Sequence, residues 1–253
     1  MNSINKYKIR KDISKTFGSD TIYRIEALRD FDDVKKGDLG GWIEKEANLS
    51  QSGTCWIYDN AVVCNDAMVA DRAMVGGHAK VFGYAHVLNN ALVTGHSSVY
   101  GNALLENDVM ITNDVIVCGN VRISNNAQLY NRVEVLGNAH IYGNAHIYDN
   151  VKIYDNAKVH GTVDLYGNIH IRGDADIKST TDYYVGKNTW SSGRYFVYTR
   201  SNKKWCVGCF YGTSKELIEK AYKDSKLSGE EYERVVKYVE EMYANIEKHN
   251  KHT

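Results

Sequence analysis

The sequence predicts a mostly β chain wound as a triangular parallel β-helix, and three observations carry that prediction. First, aligned in sixes from Cys55, residues run through 21 consecutive hexads to Lys178 without an insertion or deletion. A period that short cannot hold a helix pair or a propeller blade, which need roughly 20 to 50 residues. Second, the third position of each hexad is always Val, Ile or Leu, from Ile57 to Ile177, while the first is Ala in 12 of the 21. Both positions fall on one side of a period-2 strand, so each hexad is a short strand with a small and a large inward residue. Third, the fifth position is Gly, Asn or Asp in all 20 hexads that complete it. These residues accept a left-handed backbone at least cost, so a corner follows every strand. Three strand-and-corner units close a coil of 18 residues, and seven coils spaced by about 4.8 Å make a rod roughly 34 Å long.

In chain order, residues 1–48 are expected to cap the rod, because an uncovered first coil presents unpaired strand edges. Within them "GDLGGWIE" (Gly37 to Glu44) is read as the turn into the rod, and "LSQSGT" (Leu49 to Thr54) as a degenerate hexad. Residues 49–178 form the β-helix. Residue n+18 stacks on residue n, so Asn102, Asn120, Asn138 and Asn156 should form a side-chain ladder at one corner. Residues 179–253 form a small α+β domain. In it "RYFVYT" (Arg194 to Thr199) and "KWCVGCF" (Lys204 to Phe210) make a hairpin around "RSNK". "TSKE" (Thr213 to Glu216) caps a helix to about Lys223, and "SGEE" (Ser228 to Glu231) caps a second one. The second helix carries Tyr232, Val235, Val236, Val239, Met242, Tyr243 and Ile246 on one side. That stripe either packs on its own hairpin or makes a dimer contact through Tyr232, Val235, Val239, Met242 and Ile246.

The 253 residues are 43% hydrophobic and carry 31 basic and 31 acidic side chains. By segment the balance is +1 over 1–48, −4 over 49–178 and +3 over 179–253, so no element concentrates Lys and Arg as a nucleic-acid or anionic-membrane binder would. The first twenty residues lack an apolar run of signal-peptide length, and no stretch of 18 apolar residues occurs anywhere. The expected location is the cytoplasm of a bacterial cell. Five scattered cysteines (Cys55, Cys64, Cys118, Cys206, Cys209) fit a reducing compartment. Proline is absent, which suits a chain whose corners are all made by Gly, Asn and Asp.

The hexads resemble those of hexapeptide-repeat proteins, a resemblance that implies a left-handed β-helix. In this chain, however, Gly follows the large aliphatic after a one-residue gap, as in "V-x-G-N-A-x". The stretch from Tyr23 to Val63, the "GNA" hexads and the tail "WCVGCFYGTSKEL" are together similar to a group of phage and prophage proteins of low-GC Gram-positive bacteria. That resemblance implies a host-directed accessory protein, without enzymatic activity or cofactor, that occupies a surface of a host protein complex. An immune effector such as a CRISPR nuclease would be one such target, which would make the chain an anti-CRISPR inhibitor. The rival readings are a virion-associated structural protein and a hexapeptide acyltransferase. Such transferases are implied to be trimers that bind an acyl-coenzyme A between rods, with a catalytic His and usually a projecting loop. Here no loop interrupts the hexads, and His78, His86, His96, His140, His146, His160 and His170 all sit at in-register outward positions.

Two further columns bear on function. Trp56, Met74, Leu92 and Met110 occupy the outward second position of successive coils, and Tyr130, Tyr148 and Tyr166 the outward fourth position farther along the same face. They are read as a partner-binding strip, unless the chain's own ends cover it. His78, His96 and Asp114 share a column that resembles part of a metal site, though stacked polar corners explain it as well, and no metal is predicted. Cys206-x-x-Cys209 is half of a zinc knuckle and lacks a second pair.

Overall fold

A computed structural model describes residues 5–250. Strands β1 (Tyr7–Phe17), β2 (Asp20–Ala27) and β3 (Leu39–Ile43) precede 21 short strands at six-residue intervals, from β4 (Trp56–Ile57) to β24 (Asp176–Ile177). Every third short strand pairs in parallel with a residue offset of 18, for example Trp56 with Met74 and Met74 with Leu92. The result is three sheets around one core. First- and third-position side chains are buried along the whole rod, from Cys55 and Ile57 to Ala175 and Ile177. All twenty fifth-position residues, ten Gly and ten Asn or Asp, have positive φ. At Gly119 only Gly serves, because a Cβ would stand 2.5 Å from the carbonyl oxygen of Gly137 in the next coil. The Asn ladder forms as expected, each amide donating to the next: Asn102 to Asn120 at 2.8 Å, Asn120 to Asn138 at 2.9 Å and Asn138 to Asn156 at 3.0 Å.

The rod has about eight turns rather than seven, because its first turn begins inside the segment read as a cap. β3 pairs antiparallel with β2 and in parallel with β5 (Val62–Val63), placing Trp42 beside Val62. "GDLGGWIE" is therefore largely strand, and its paired glycines serve close approach. A Cβ on Gly40 would lie 2.5 Å from Trp56, and one on Gly41 2.3 Å from Ile57. This turn spans 20 residues, since Leu49 bridges to Val69 and a 3-10 turn over Glu46–Asn48 takes up the excess. Asn48, fully buried, holds that turn by donating from Nδ2 to the carbonyls of Asn65 and Ala67, both at 2.9 Å.

At the N-terminal end Tyr7 and Phe31 stand edge-on to Trp56, with ring centroids 6.3 and 5.3 Å away. Lys6 is buried beside them, and its ammonium donates to the Cys55 carbonyl at 2.8 Å. Burial pulls the Lys6 pKa down, partly offset by Cys55.

At the other end β25 (Tyr183–Lys187), β26 (Tyr195–Thr199), β27 (Lys204–Val207) and β28 (Phe210–Gly212) form an antiparallel sheet that includes the expected hairpin. Its alternation serves two cores. Tyr183, Val185 and Val197 pack on the end of the rod. Tyr184, Phe196, Tyr198 and Trp205 face α1 (Ser214–Asp224) and α2 (Lys226–Asn250). The Thr213 capping box forms, with the Thr213 hydroxyl accepting from the Glu216 amide. The one read at "SGEE" does not, because α2 already starts at Lys226. Ser225, in extended backbone at the end of α1, supplies the cap instead, its hydroxyl accepting from Ser228 N at 3.0 Å. Gly229 lets the Tyr222 ring approach, where a Cβ would lie 2.2 Å from Cδ1.

Candidate functional site

The three outer faces of the rod differ in chemistry. The face built on β4, β7 (Met74–Val75), β10 (Leu92–Val93) and β13 (Met110–Ile111) carries the strip expected to bind a partner. Its members divide. Trp56 is 2% exposed, sealed under Tyr7 and Phe31, so the N-terminal strands take it out of the surface. Met74 and Leu92 are half-buried, and Met110 is 41% exposed. Farther along, Tyr130, Tyr148 and Tyr166 stack face to face, with centroids 5.0 and 5.2 Å apart and planes within 10°. Tyr166, at the end, is 54% exposed.

A second apolar column escaped the sequence reading: Phe82, Tyr100, Cys118, Leu136 and Tyr154, at the fourth position on the neighbouring face, each half-buried. Phe82 stacks on Tyr100 at 4.7 Å, and Phe17 of β1 packs on Phe82. The n+18 test would have found it had it been applied to fourth positions from Cys64 onward.

The third face turns polar in its C-terminal half, from Arg122 onward, and there holds the closest approach to a catalytic arrangement. His160 Nε2 lies 2.7 Å from Asp176 Oδ1, and its ring stacks on Tyr142 at 4.5 Å. His140, whose ring is tilted by 34° from that of Tyr142 at a centroid distance of 4.5 Å, has a buried Nε2 with no hydrogen-bond partner among the described residues. Burial, and then the cations Arg122 and Lys158, lower the His140 pKa, favouring the neutral imidazole. Reading columns at n+18 missed the His160–Asp176 pair because its separation is 16. A fourth-position side chain reaches the second position one coil on, two residues back along the same outward face. Arg122 and Glu106 pair by the same diagonal.

The column of His78, His96 and Asp114 does not converge as a ligand set. The two imidazoles stack at 4.9 Å with planes 2° apart, which sets their nitrogens side by side instead of aiming them at a common point about 2 Å away. Among the described residues no three His, Cys, Asp or Glu side chains gather as a metal site. The thiol of Cys206 is buried, and burial pushes its pKa up to about 11, while Cys209 is exposed.

The stripe on α2 is spent within the chain. Tyr232 and Val239, expected at a dimer contact, are buried against the C-terminal sheet, and Val235, Met242 and Ile246 pack partly against the same core. Asn188 fixes the site by donating to Tyr232 Oη at 3.1 Å. A four-stranded sheet, two strands wider than the predicted hairpin, supplies the surface the stripe needed. Among the described residues no helix is long and apolar enough to cross a membrane.

Stacked coils with a six-residue pattern define a β-solenoid of the hexapeptide-repeat kind. No family model matches the chain. A stretch of 42 residues is 48% identical to a protein of Escherichia coli (strain K12) described as "Uncharacterized acetyltransferase YdcK". The match spans 17% of this chain and 13% of the length of that protein.

Proposed function

We propose that the chain is a non-catalytic binding protein whose rod presents a flat apolar strip to a protein partner. The observation that carries the reading is the run of Met74, Leu92, Met110, Tyr130 and Tyr148 along one face, which lies beyond the reach of the N-terminal strands that bury Trp56. A rigid row of large apolar and tyrosine side chains is the composition that interface cores favour. The similarity to phage proteins supplies the only pointer to a host complex as the partner. The matched Escherichia coli protein gives no pointer to an immune effector. Affinity capture from a bacterial lysate tests the reading. One stoichiometric complex should be recovered by the wild type and lost with Met110→Asp, which places a carboxylate at an exposed strip position without touching the core. Equal recovery by Met110→Asp would refute the strip.

A second reading is an acyltransferase, favoured by the 42-residue match and by the His160–Asp176 pair beside Tyr142. An imidazole held by a carboxylate is suited to act as a general base. Release of thiol from acetyl-coenzyme A, followed with a set of amine and hydroxyl acceptors and abolished by His160→Gln, would replace the binding reading with this one.

A further inference from the structure

We infer that the cleft between the last coil of the rod and the C-terminal sheet binds a neutral carbohydrate ring. The cleft has a volume of about 430 Å³ and is walled by Tyr166, Asn168 and Thr180 on the rod side and by Tyr183, Val185 and Tyr195 on the sheet side. That size falls within the roughly 300–1,000 Å³ of small-ligand sites.

Two side-chain ladders end in this cleft, and each ends with a bonding capacity unused. Tyr130, Tyr148 and Tyr166 stack at coil spacing, but the repeat stops before another tyrosine follows. Among the described residues Tyr148 is the ring that stacks on Tyr166, which is 54% exposed, while Tyr183 and Tyr195 stand across the cleft without stacking on it. One face of its ring is therefore available at the distance where a flat apolar surface would continue the stack. In the amide ladder, Asn150 Nδ2 donates to Asn168 Oδ1 at 2.8 Å, while among the described residues Asn168 Nδ2 has no rung beyond it to donate to. The Thr180 hydroxyl likewise has no partner among the described residues. Across the cleft Tyr195 is 40% exposed and offers a second ring, with the Lys187 ammonium over one side of it, 5.5 Å from the centroid.

The missing rung must therefore present an apolar face to an aromatic ring and hydroxyls or carbonyls to an amide donor and a hydroxyl. The C–H face and hydroxyl rim of a pyranose do both. An acidic ligand fits poorly, since none of the eight lining residues carries a charged side chain. Tyr183 stays a neutral phenol, its pKa pushed up to about 12 by burial, and it donates to the Asp164 carbonyl at 3.3 Å. Nucleotides and coenzyme A would bring phosphates to a cleft whose lining holds no cation, the nearby Lys187 ammonium lying over the Tyr195 ring. The inference is independent of the protein-binding reading, because it concerns the end of the rod and not the length of its face.

Saturation-transfer NMR on the full chain, with maltotriose, cellotriose and tri-N-acetylchitotriose as probes, tests it. Transfer to at least one of the three is expected. Tyr166→Ala and Tyr195→Ala should each weaken that binding by about tenfold, the worth of one aromatic stacking partner. Tyr166→Phe, which keeps the ring, and Tyr130→Ala, two coils back in the same ladder, should bind as the wild type does. Absence of transfer to all three sugars would overturn the inference. So would equal weakening by Tyr130→Ala, no weakening by Tyr166→Ala in a chain with wild-type circular dichroism, or binding of AMP in place of the sugars.

Discussion

The rod and the C-terminal sheet-and-helix unit are both built on β-strands, yet they bury their side chains by different rules. In the rod a strand of two residues suffices, because each coil meets near copies of itself 18 residues before and after. Nothing distant in sequence is needed, and stability accumulates by nearest neighbours. In the C-terminal unit no fixed sequence offset relates a residue to its neighbours, which come from antiparallel strands and two helices. β26 splits its side chains, Val197 closing the rod and Phe196 and Tyr198 joining the helices, and β25 does the same with Val185 and Tyr184. The comparison teaches that a repeat builds length without ends, and that the aperiodic segments exist to close those ends.

The strongest way to break this comparison is to remove Trp205, which is fully buried between the C-terminal sheet and the helices. Trp205→Ala should cost about 3–5 kcal/mol, the range for deleting a buried large aromatic. If the two regions are distinct in how they cohere, hydrogen exchange should quicken in β26, β27 and both helices while amides of the middle coils, such as Leu104 and His140, stay protected. Simultaneous loss of protection in the middle coils would show one cooperative unit and end the distinction.

A smaller effect sharpens the contrast between the middle of the rod and its last coil. Gly119 and Gly167 hold equivalent corners with φ of 101° and 91°. A Cβ at Gly119 meets the next coil at 2.5 Å, whereas one at Gly167 meets nothing within 4 Å. Both alanine variants should lose about 1–2 kcal/mol from left-handed strain, and Gly119→Ala should lose more because the backbone of Gly137 cannot yield. Equal falls in melting temperature would mean that the coils separate cheaply, against the stacked ladder.

What was legible in the sequence follows the same division. The hexad period exposed the buried first and third positions of the rod, all twenty corners and the Asn102 to Asn156 ladder, because in a solenoid the spatial neighbour is a fixed sequence offset. Legibility failed where that offset changed. The first turn, with its extra residues at Glu46–Asn48, hid a strand behind Gly40 and Gly41, and a diagonal of 16 hid His160 and Asp176. Trp56 belonged to the right column but lay under Tyr7 and Phe31, which no periodicity connects to it. The α2 stripe was recognised, yet its partner sheet was read as only two strands, so its destination stayed open until Trp205, Phe196 and Tyr232 were seen to meet.

The mildest test uses protons and again separates the rod from its C-terminal unit. Burial lowers the pKa of His140 and of His170 from the ordinary 6.5, and nearby cations act in the same direction, Arg122 and Lys158 on the first, Lys152 and Arg172 on the second. Glu106 and Glu134 oppose them weakly. An imidazole whose folded pKa is depressed binds fewer protons folded than unfolded below about pH 6.5. Its contribution is therefore complete above that pH and is lost as pH falls through the lowered folded value. The urea midpoint should drop between pH 7.5 and 5.5, a window above the titration of most carboxylates, and His140→Gln should flatten part of that slope. Exchange should quicken first in the coils around His140 and His170, not in the helices. An unchanged slope in His140→Gln would mean that its buried, unpartnered Nε2 reaches water in solution, and that the polar face is less closed than the rest of the rod.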